Sequence, residues 1–204
     1  MEGEETSIDI KNIKISVKLK GQSTITQLLE KCSQHAGVTH HVLSSFIVVK
    51  KLASSWRFII FKSKPGAQRH HTNITGLKCM EEIEHSLSFL AHLLLLNRED
   101  LTFRIDNITS KSQGLEKYML AMQLDYINLQ VLMAQLMQNH GPEITCRFQP
   151  QVYSALVVKL FNTTNLIYEK GAILVIGARD VPSSIQSVTA IVKAACPANM
   201  TLLS

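Results

Sequence analysis

Apolar and polar residues alternate from Ile10 to Lys20, which is the period of a β-strand with two different faces. One face carries the apolar side chains Ile13, Ile15, Val17 and Leu19. The other carries Asn12, Lys14, Ser16, Lys18 and Lys20. The pattern predicts a strand that turns an apolar face to the protein interior and a basic face away from it.

The pattern changes several times through the rest of the first half. Residues 23–37 have apolar positions at helical spacing after a capping serine or threonine. Two segments rich in β-branched and aromatic residues, 44–51 and 56–61, are predicted strands, and a basic loop at 62–73 follows them. Residues 81–96 have the spacing of a long helix.

The same order of elements recurs in the second half. A strand is predicted at 102–109, a helical stretch within 119–139 that ends at Gly141-Pro142, and a strand at 153–160 whose letters YSALVVKL parallel LSSFIVVK of 43–50. The last helix has Ile185, Val188 and Val192 on one face, with Ser183 or Ser184 as its cap. Two similar halves of about a hundred residues indicate a tandem duplication rather than a solenoid.

The segment 163–178, TTNLIYEKGAILVIGA, is predicted to be a hairpin that is apolar on both faces. One face holds Leu166, Tyr168, Leu174 and Ile176, and the other holds Ile167, Ile173 and Val175. An antiparallel hairpin normally keeps one face in water. The helix that follows can cover one face of this hairpin, so the other is a candidate binding surface.

Several antiparallel strands and two helices per half predict an α+β fold in which one long sheet carries its helices on one face. The expected division is a flexible acidic leader at 1–7, a first repeat at 8–97, a second repeat at 98–195 and a tail at 196–204. The uncovered face would be apolar in the middle, with amide side chains and flanking lysines. A contiguous patch of that kind exceeds what a monomer usually exposes.

Composition narrows the class of protein. A hydrophobic fraction of 46% and a charged fraction of 18% are values of a folded chain. Residues 1–96 hold 12 Lys and Arg against 8 Asp and Glu, so they carry +4 of the total charge of +5. That excess is compatible with a polyanion partner. The 204 residues contain no apolar run long enough for a membrane span and no signal peptide at the N-terminus.

No catalytic motif appears, and the protein is expected not to be an enzyme. Four widely spaced cysteines predict reduced thiols rather than disulfides or zinc ligands. The pairs His40-His41 and His70-His71 are interpreted as loop histidines, because adjacent residues on an extended chain point to opposite sides. Neither a metal nor a cofactor is expected.

The twofold repeat, the Ile-x-Asn-Ile openings at Ile10 and Ile105, and the hairpin LIYEKGAILVIGA resemble the conserved core of the TATA-box-binding protein family. The resemblance covers about residues 8–195 and is most specific within 153–178. It implies one saddle-shaped, curved antiparallel sheet made by two pseudo-symmetric repeats, with helices on the convex face. Because the first half matches more loosely, the resemblance indicates a divergent or virally encoded member of the family rather than an ordinary cellular one.

The resemblance also implies roles for individual residues. Asn12 and Asn107 match the base-reading asparagines, with Lys14, Thr75, Thr109, Leu166, Leu174 and Ile176 on the groove face. The four kinking phenylalanines of the family fall on Leu43, Phe61, Tyr153 and Tyr168, so only Phe61 is unchanged. Phosphate contacts are expected from Lys18, Lys50, Arg57, Lys64, Lys159 and Lys170. Lys14 and Ile176 depart from the small apolar residue and the threonine of the family.

The function implied is that of a nuclear transcription initiation factor, or one at the site of viral transcription. It would bind and bend double-stranded promoter DNA through the minor groove. Its partners would be general transcription factors and RNA polymerase, and it would act as a monomer or within a hetero-complex, away from membranes. The alternative is a protein-interaction module that keeps the fold but holds a protein on the same face. A third, weaker alternative is an accessory domain of an enzyme.

Overall fold

The computed structural model describes residues 7–20, 27, 30, 33–61 and 69–195, without the side chains of residues 69 and 70. Several expectations fall outside these residues: the leader at 1–6, most of the helix at 23–37, Lys62 and Lys64 in the basic loop, and the tail at 196–204. Residues 27, 30, 33 and 34 within the predicted helix are helical.

The chain divides into two compact units. The N-terminal unit is Lys11–Asn107, and the C-terminal unit is Ile108–Ser204 together with Met1–Ile10. The boundary between the two units lies after Asn107.

The N-terminal unit contains an antiparallel sheet in the order β2-β3-β4-β5-β1. Its strands are β1 Asp9–Lys20, β2 Val38–Val42, β3 Phe46–Lys51, β4 Arg57–Phe61 and β5 Arg69–Leu77. Helix α1, Glu81–Leu94, follows β5, and a short 3₁₀ helix at Arg98–Asp100 leads into β6, Leu101–Ser112. The strands predicted at 10–20, 44–51 and 56–61 and the helix predicted at 81–96 are confirmed to within two residues at each end.

One face of this sheet is packed under α1. Ile13, Ile15 and Val17 are fully buried, as the alternation in β1 predicts. Phe58 of β4 meets Phe89 of α1 with ring centroids 5.5 Å apart. The buried residues of α1 include Ile83, Leu87, Leu90 and Leu94, the apolar stripe predicted for this helix.

The strands of the C-terminal unit are also antiparallel, in the order β6-β10-β9-β8-β7. Its further strands are β7 Thr145–Gln149, β8 Tyr153–Leu160, β9 Thr163–Ile167 and β10 Ile173–Ala178. Its helices are α2 Gly114–Ala121, α3 Leu129–His140 and α4 Val181–Ala195, with a 3₁₀ helix at Gly141–Glu143. The α+β class is therefore confirmed in both units.

The hairpin of β9 and β10 has the two-faced packing that its sequence predicts. Ile167, Ile173 and Val175 are fully buried against the helical layer, where Val188 and Ile191 of α4 lie. Asn165 is also fully buried on this side, and its Oδ1 accepts a hydrogen bond of 3.0 Å from the Ser187 hydroxyl of α4. Buried apolar contact and this polar bond together hold α4 against β9.

Four elements differ from the sequence-based predictions. Strand β5 begins at Arg69, so residues 69–73 of the predicted basic loop belong to a strand. The edge strands β2 and β7 were not predicted, because each has five residues and only a weak apolar alternation. The helical stretch within 119–139 is two helices, since Gln123 has φ 54° and the Asn128 side chain caps α3 by accepting from the amides of Gln130 and Val131. No helix among the described residues is long and apolar enough to cross a membrane.

The histidines and thiols are placed as follows. His40, His41, His70 and His71 all lie in strands, so the loop interpretation is wrong for both pairs. No group of three metal-ligating side chains occurs in the part of the chain that the structure describes. Cys79 and Cys146 are free thiols, and burial raises the pKa of Cys146.

The cap of α4 is Asp180 rather than Ser183 or Ser184. Its Oδ1 accepts a 2.7 Å hydrogen bond from the Ser183 amide, and this bond lowers the pKa of the Asp180 carboxyl. We expect Asp180→Ala to lower the free energy of unfolding by about 1 kcal/mol, measured by urea denaturation at neutral pH. Because the folded pKa is depressed, the effect should vanish as the pH falls through that pKa. A Ser183→Ala variant loses the hydroxyl bond to Asp180 but keeps the amide donor, so it should be destabilised less than Asp180→Ala.

Candidate nucleic-acid interface

Each sheet has one face that its helices leave uncovered, which we call its open face. In the N-terminal unit the open face includes Asn12, Lys14, Ser16, Lys18, Val48, Lys50, Arg57, Ile59, Phe61, Asn73 and Thr75, all half-buried or exposed. In the C-terminal unit it includes Thr109, Lys111, Val157, Lys159, Leu166, Tyr168, Leu174 and Ile176, again half-buried or exposed. The predicted groove-facing residues therefore all lie outside the packed core.

An apolar row crosses the middle of each open face. In the N-terminal unit Val48 pairs with Ile59, which pairs in turn with Asn73. In the C-terminal unit the row is apolar over three strands, because Val157 pairs with Leu166 and Leu166 with Leu174. These rows form because β-strands send alternate side chains to the same face.

Asn12 presents its amide nitrogen outward. The backbone amide of Gly76 donates to Asn12 Oδ1 at 2.7 Å, which fixes the orientation of the side-chain amide. Within the described residues Asn12 Nδ2 has no hydrogen-bond partner, so its two N–H groups remain for a ligand. Asn107, its counterpart in the repeat, is half-buried at the end of the N-terminal unit.

Two cations lie side by side next to Asn12. Lys50 and Arg57 are direct cross-strand partners, and Arg57 pairs on its other side with Thr75. Like charges in this position repel each other, and neither forms an ion pair among the described residues. They line a depression of about 580 Å³ whose wall also includes Trp56. An anion bound there would relieve the repulsion.

An acidic side chain that the sequence interpretation missed lies among the basic residues of the N-terminal unit. The Asp106 carboxylate is 3.0 Å from Arg104 Nε and 3.9 Å from Lys14 Nζ. The Ser16 hydroxyl also donates to it. Part of the positive charge predicted at Lys14 is therefore neutralised within the protein.

The strand register changes one assignment of the repeat. Ile60 and Ile167 are equivalent positions of the two repeats. Because Ile60 pairs with Ile47 and Ile167 pairs with Leu156, Ile47 and Leu156 are equivalent as well. The sequence-based pairing of Leu43 with Tyr153 is therefore wrong by one residue. Leu43 lies just before β3, exposed, and the aromatic side chain that meets Phe61 is instead Phe46, at 6.0 Å between ring centroids. Phe46 was missed because it lies in a run of apolar residues with no distinguishing signal.

The aromatic pair of the C-terminal unit is polar. The hydroxyls of Tyr153 and Tyr168 are 3.0 Å apart. This hydrogen bond, together with partial burial and the repulsion from Tyr153, raises the pKa of Tyr168. The two predicted wedge residues of this unit therefore lie side by side. Their hydroxyl groups are hydrogen-bonded to each other, so the pair is more polar than two phenylalanines would be.

The remaining predicted phosphate contacts have different surroundings. Lys18 and Lys159 are exposed on the open faces, and Lys159 pairs with Thr164 and Thr145 on its two sides. Lys170 Nζ donates to the backbone carbonyl of Asp125 at 3.1 Å. Its ammonium group is thus already used to hold the segment between α2 and α3.

The whole chain is similar to a solved structure. It superposes on the TATA-box-binding protein (TBP) of Methanococcus jannaschii with a TM-score of 0.60, at 17% identity, over 93% of this chain and 98% of that chain. The chain has a TBP-like fold. At this identity the likeness shows the fold alone.

Other similarities are weaker. The rolling circle replication initiator protein of Geobacillus stearothermophilus is 12% identical over 90% of this chain and 79% of that chain, with a TM-score of 0.38. The regulatory subunit of aspartate kinase from Thermus flavus is 11% identical over 94% of each chain, with a TM-score of 0.27. Neither supports a functional argument. No protein-family model and no curated protein sequence matches the chain.

Proposed function

We propose that this protein binds double-stranded promoter DNA through the minor groove with its open faces and serves as a TBP-like transcription initiation factor. The observation that carries the proposal is the combination on one face of an amide donor at Asn12, an apolar row and the adjacent cations Lys50 and Arg57. The TBP-like fold is consistent with it.

The chemistry of the minor groove suits this face. The groove floor offers mainly hydrogen-bond acceptors at A·T pairs, to which the Asn12 amide can donate. Its walls expose sugar edges to aliphatic side chains such as Leu166 and Leu174. Phe46 and Phe61 supply the apolar wedge that can unstack a base step, at a cost of about a few kcal/mol that added contacts must offset.

The helical side would recruit the transcription machinery, including general factors and RNA polymerase. Leu120 is 82% exposed and Tyr126 is 63% exposed in this part of the C-terminal unit. Exposed apolar side chains of this size are typical of protein-binding surfaces. The proposed location is the nucleus, or the site of viral transcription for a viral protein, and the proposed role is non-enzymatic.

A specific observation favours the alternative of a protein-binding face. Asp106 places a carboxylate beside Lys14, where DNA would meet a like charge. The paired hydroxyls of Tyr153 and Tyr168 also make one wedge less apolar. A protein ligand with its own cations would be less disfavoured by Asp106 than a nucleic acid.

The test is a fluorescence titration with A/T-rich and G/C-rich duplexes at two salt concentrations. About four phosphate contacts, from Lys18, Lys50, Arg57 and Lys159, predict a slope of log K against log salt of about −3.6. A preference for the A/T-rich duplex is also expected. Absence of binding to either duplex at low salt would favour the protein-binding alternative.

Asn12→Asp sharpens this test. The aspartate can still accept from the Gly76 amide, but it loses both N–H donors and adds a negative charge. We expect affinity for the A/T-rich duplex to fall about 10-fold or more. Asn139→Asp, the same change at an exposed position of α3, should leave affinity unaltered. Equal affinities of the two variants would contradict the role of Asn12.

A further inference from the structure

The open face of the C-terminal unit has a cavity at its outer strands, lined in part by Val157 and Lys159 of the proposed duplex-binding face. Strands β7 and β8 pair Thr145 with Lys159, Arg147 with Val157 and Gln149 with Tyr153. The register shifts between the last two pairs, because β8 has extra residues there, and the small Ala155 lies within this bulged part of β8. The result is a cavity of about 480 Å³ between β7 and β8.

The N-terminal unit has a larger residue at the position equivalent to Ala155. Thr39 pairs with Lys50 and His41 with Val48, as Thr145 pairs with Lys159 and Arg147 with Val157. In the same register Phe46 occupies the position equivalent to Ala155. The first repeat thus has a phenyl ring where the second has only the methyl group of Ala155, which is buried beneath the cavity lining.

The walls of the cavity are held in place. Tyr153 is tied at its hydroxyl to Tyr168, 3.0 Å away. The Arg147 guanidinium donates twice to Gln149 Oε1, from Nε at 3.2 Å and from a terminal nitrogen at 2.7 Å. Among the described residues neither Arg147 nor Lys159 forms an ion pair. The cavity therefore has an aromatic ring, a planar cation, an apolar floor and a second cation at one end.

We propose that this cavity binds a nucleotide. The base would lie on Val157, above the buried Ala155, between the Tyr153 ring and the Arg147 guanidinium plane, since both stack well on a flat aromatic ring. The phosphate would be bound by Lys159. The volume lies within the range of ligand pockets, about 300–1,000 Å³. A paired base inside a duplex cannot enter, so the proposal goes beyond minor-groove binding and does not depend on it.

The test is calorimetric titration of the full chain with AMP and with adenosine. We expect saturable AMP binding that Ala155→Phe weakens at least 10-fold, because the new ring takes the place that Phe46 takes in the first repeat. Lys159→Ala should weaken AMP about 10-fold and adenosine less than twofold. Loss of the phosphate contact predicts this difference, which a general loss of structure would not produce.

Two matched variants serve as controls. Ala134→Phe on α3 introduces the same ring at an exposed site, and Lys193→Ala on α4 removes the same charge. Both should bind AMP as the parent does. The proposal is overturned if the parent does not bind AMP saturably, or if folded Ala155→Phe binds it equally well.

A second experiment distinguishes a free nucleotide from an unpaired base of a nucleic acid as the ligand. One duplex carries a single unpaired adenine, and its control is fully paired with the same flanking sequence. If the ligand is an unstacked base of a nucleic acid, the unpaired duplex binds more tightly and Ala155→Phe abolishes the difference. If it is a free nucleotide, AMP binds and the two duplexes are equivalent. Failure of minor-groove binding would appear as no affinity for the paired duplex while AMP binding persists.

Discussion

Gly76→Ala is expected to destabilise the protein by about 3–5 kcal/mol. Gly76 has φ +89°, a conformation that side chains other than glycine rarely adopt. A Cβ at this position would lie 2.0 Å from the backbone carbonyl oxygen of Ser55. The backbone would have to move, and the hydrogen bonds of Gly76 to Asn12 and to the Ser55 hydroxyl would weaken.

The second repeat provides a matched control. Gly177 occupies the equivalent place in β10 with φ +86°, but no atom lies within 4 Å of a Cβ built there. Gly177→Ala should therefore cost only the backbone strain, about 1–2 kcal/mol. Urea denaturation of both variants, followed by circular dichroism, measures the difference. Equal losses would show that the contact with Ser55 does not constrain the chain.

The same displacement would reach the proposed interface. Gly76 orients the Asn12 amide, so a shifted backbone should turn the amide donors away from a duplex. We therefore expect the Gly76 variant, under conditions where it remains folded, to lose affinity for A/T-rich DNA. Gly177→Ala leaves the hydrogen bond between the Gly76 amide and Asn12 intact, so that variant should lose less.

Strands with one buried face could be predicted well from the sequence. The alternation of Ile13, Ile15 and Val17 requires a strand with a single core face, and burial against α1 leaves no other register. The two-sided apolar pattern of residues 163–178 likewise implied one helix-covered face and one open face. Such patterns are informative because a shift of one residue would expose the whole apolar set.

Features that depend on long-range contacts could not be predicted. Strand β2 reads VTHHV, and it forms because β3 offers an open edge rather than because its own residues require a strand. Asp106 follows an apolar residue in a strand and gives no signal that Lys14 and Arg104 lie beside it. These contacts join residues far apart in sequence, which local patterns do not record.

The candidate site was predicted in composition but not in detail. The alternation places Asn12, Thr75 and Leu174 on the uncovered side, as the structure has them. The assignment of Leu43 was made by matching letters, and the strand register corrects it because pairing, and not letter similarity, determines which residues face each other. The cavity beside Ala155 needs both that register and the bulge in β8, so the sequence contains no direct sign of it.

Leu174→Glu is expected to lower affinity for an A/T-rich duplex at least 100-fold. Leu174 lies in the apolar row of the C-terminal unit, paired with Leu166 on one side and Lys111 on the other. A carboxylate there would be desolvated against the sugars and repelled by the phosphates, and each effect costs about a few kcal/mol. The free protein should remain folded, because the half-buried side chain can extend into water.

Leu120→Glu is the matched control, since Leu120 is 82% exposed on α2 and lies on the helical side. The two variants carry the same charge, so any difference between them reflects position alone. A gel-shift titration of both, with a melting curve for each, separates loss of binding from loss of fold. If Leu174→Glu binds the duplex as tightly as Leu120→Glu, DNA does not contact the apolar row, and the face is better explained as a site for a protein.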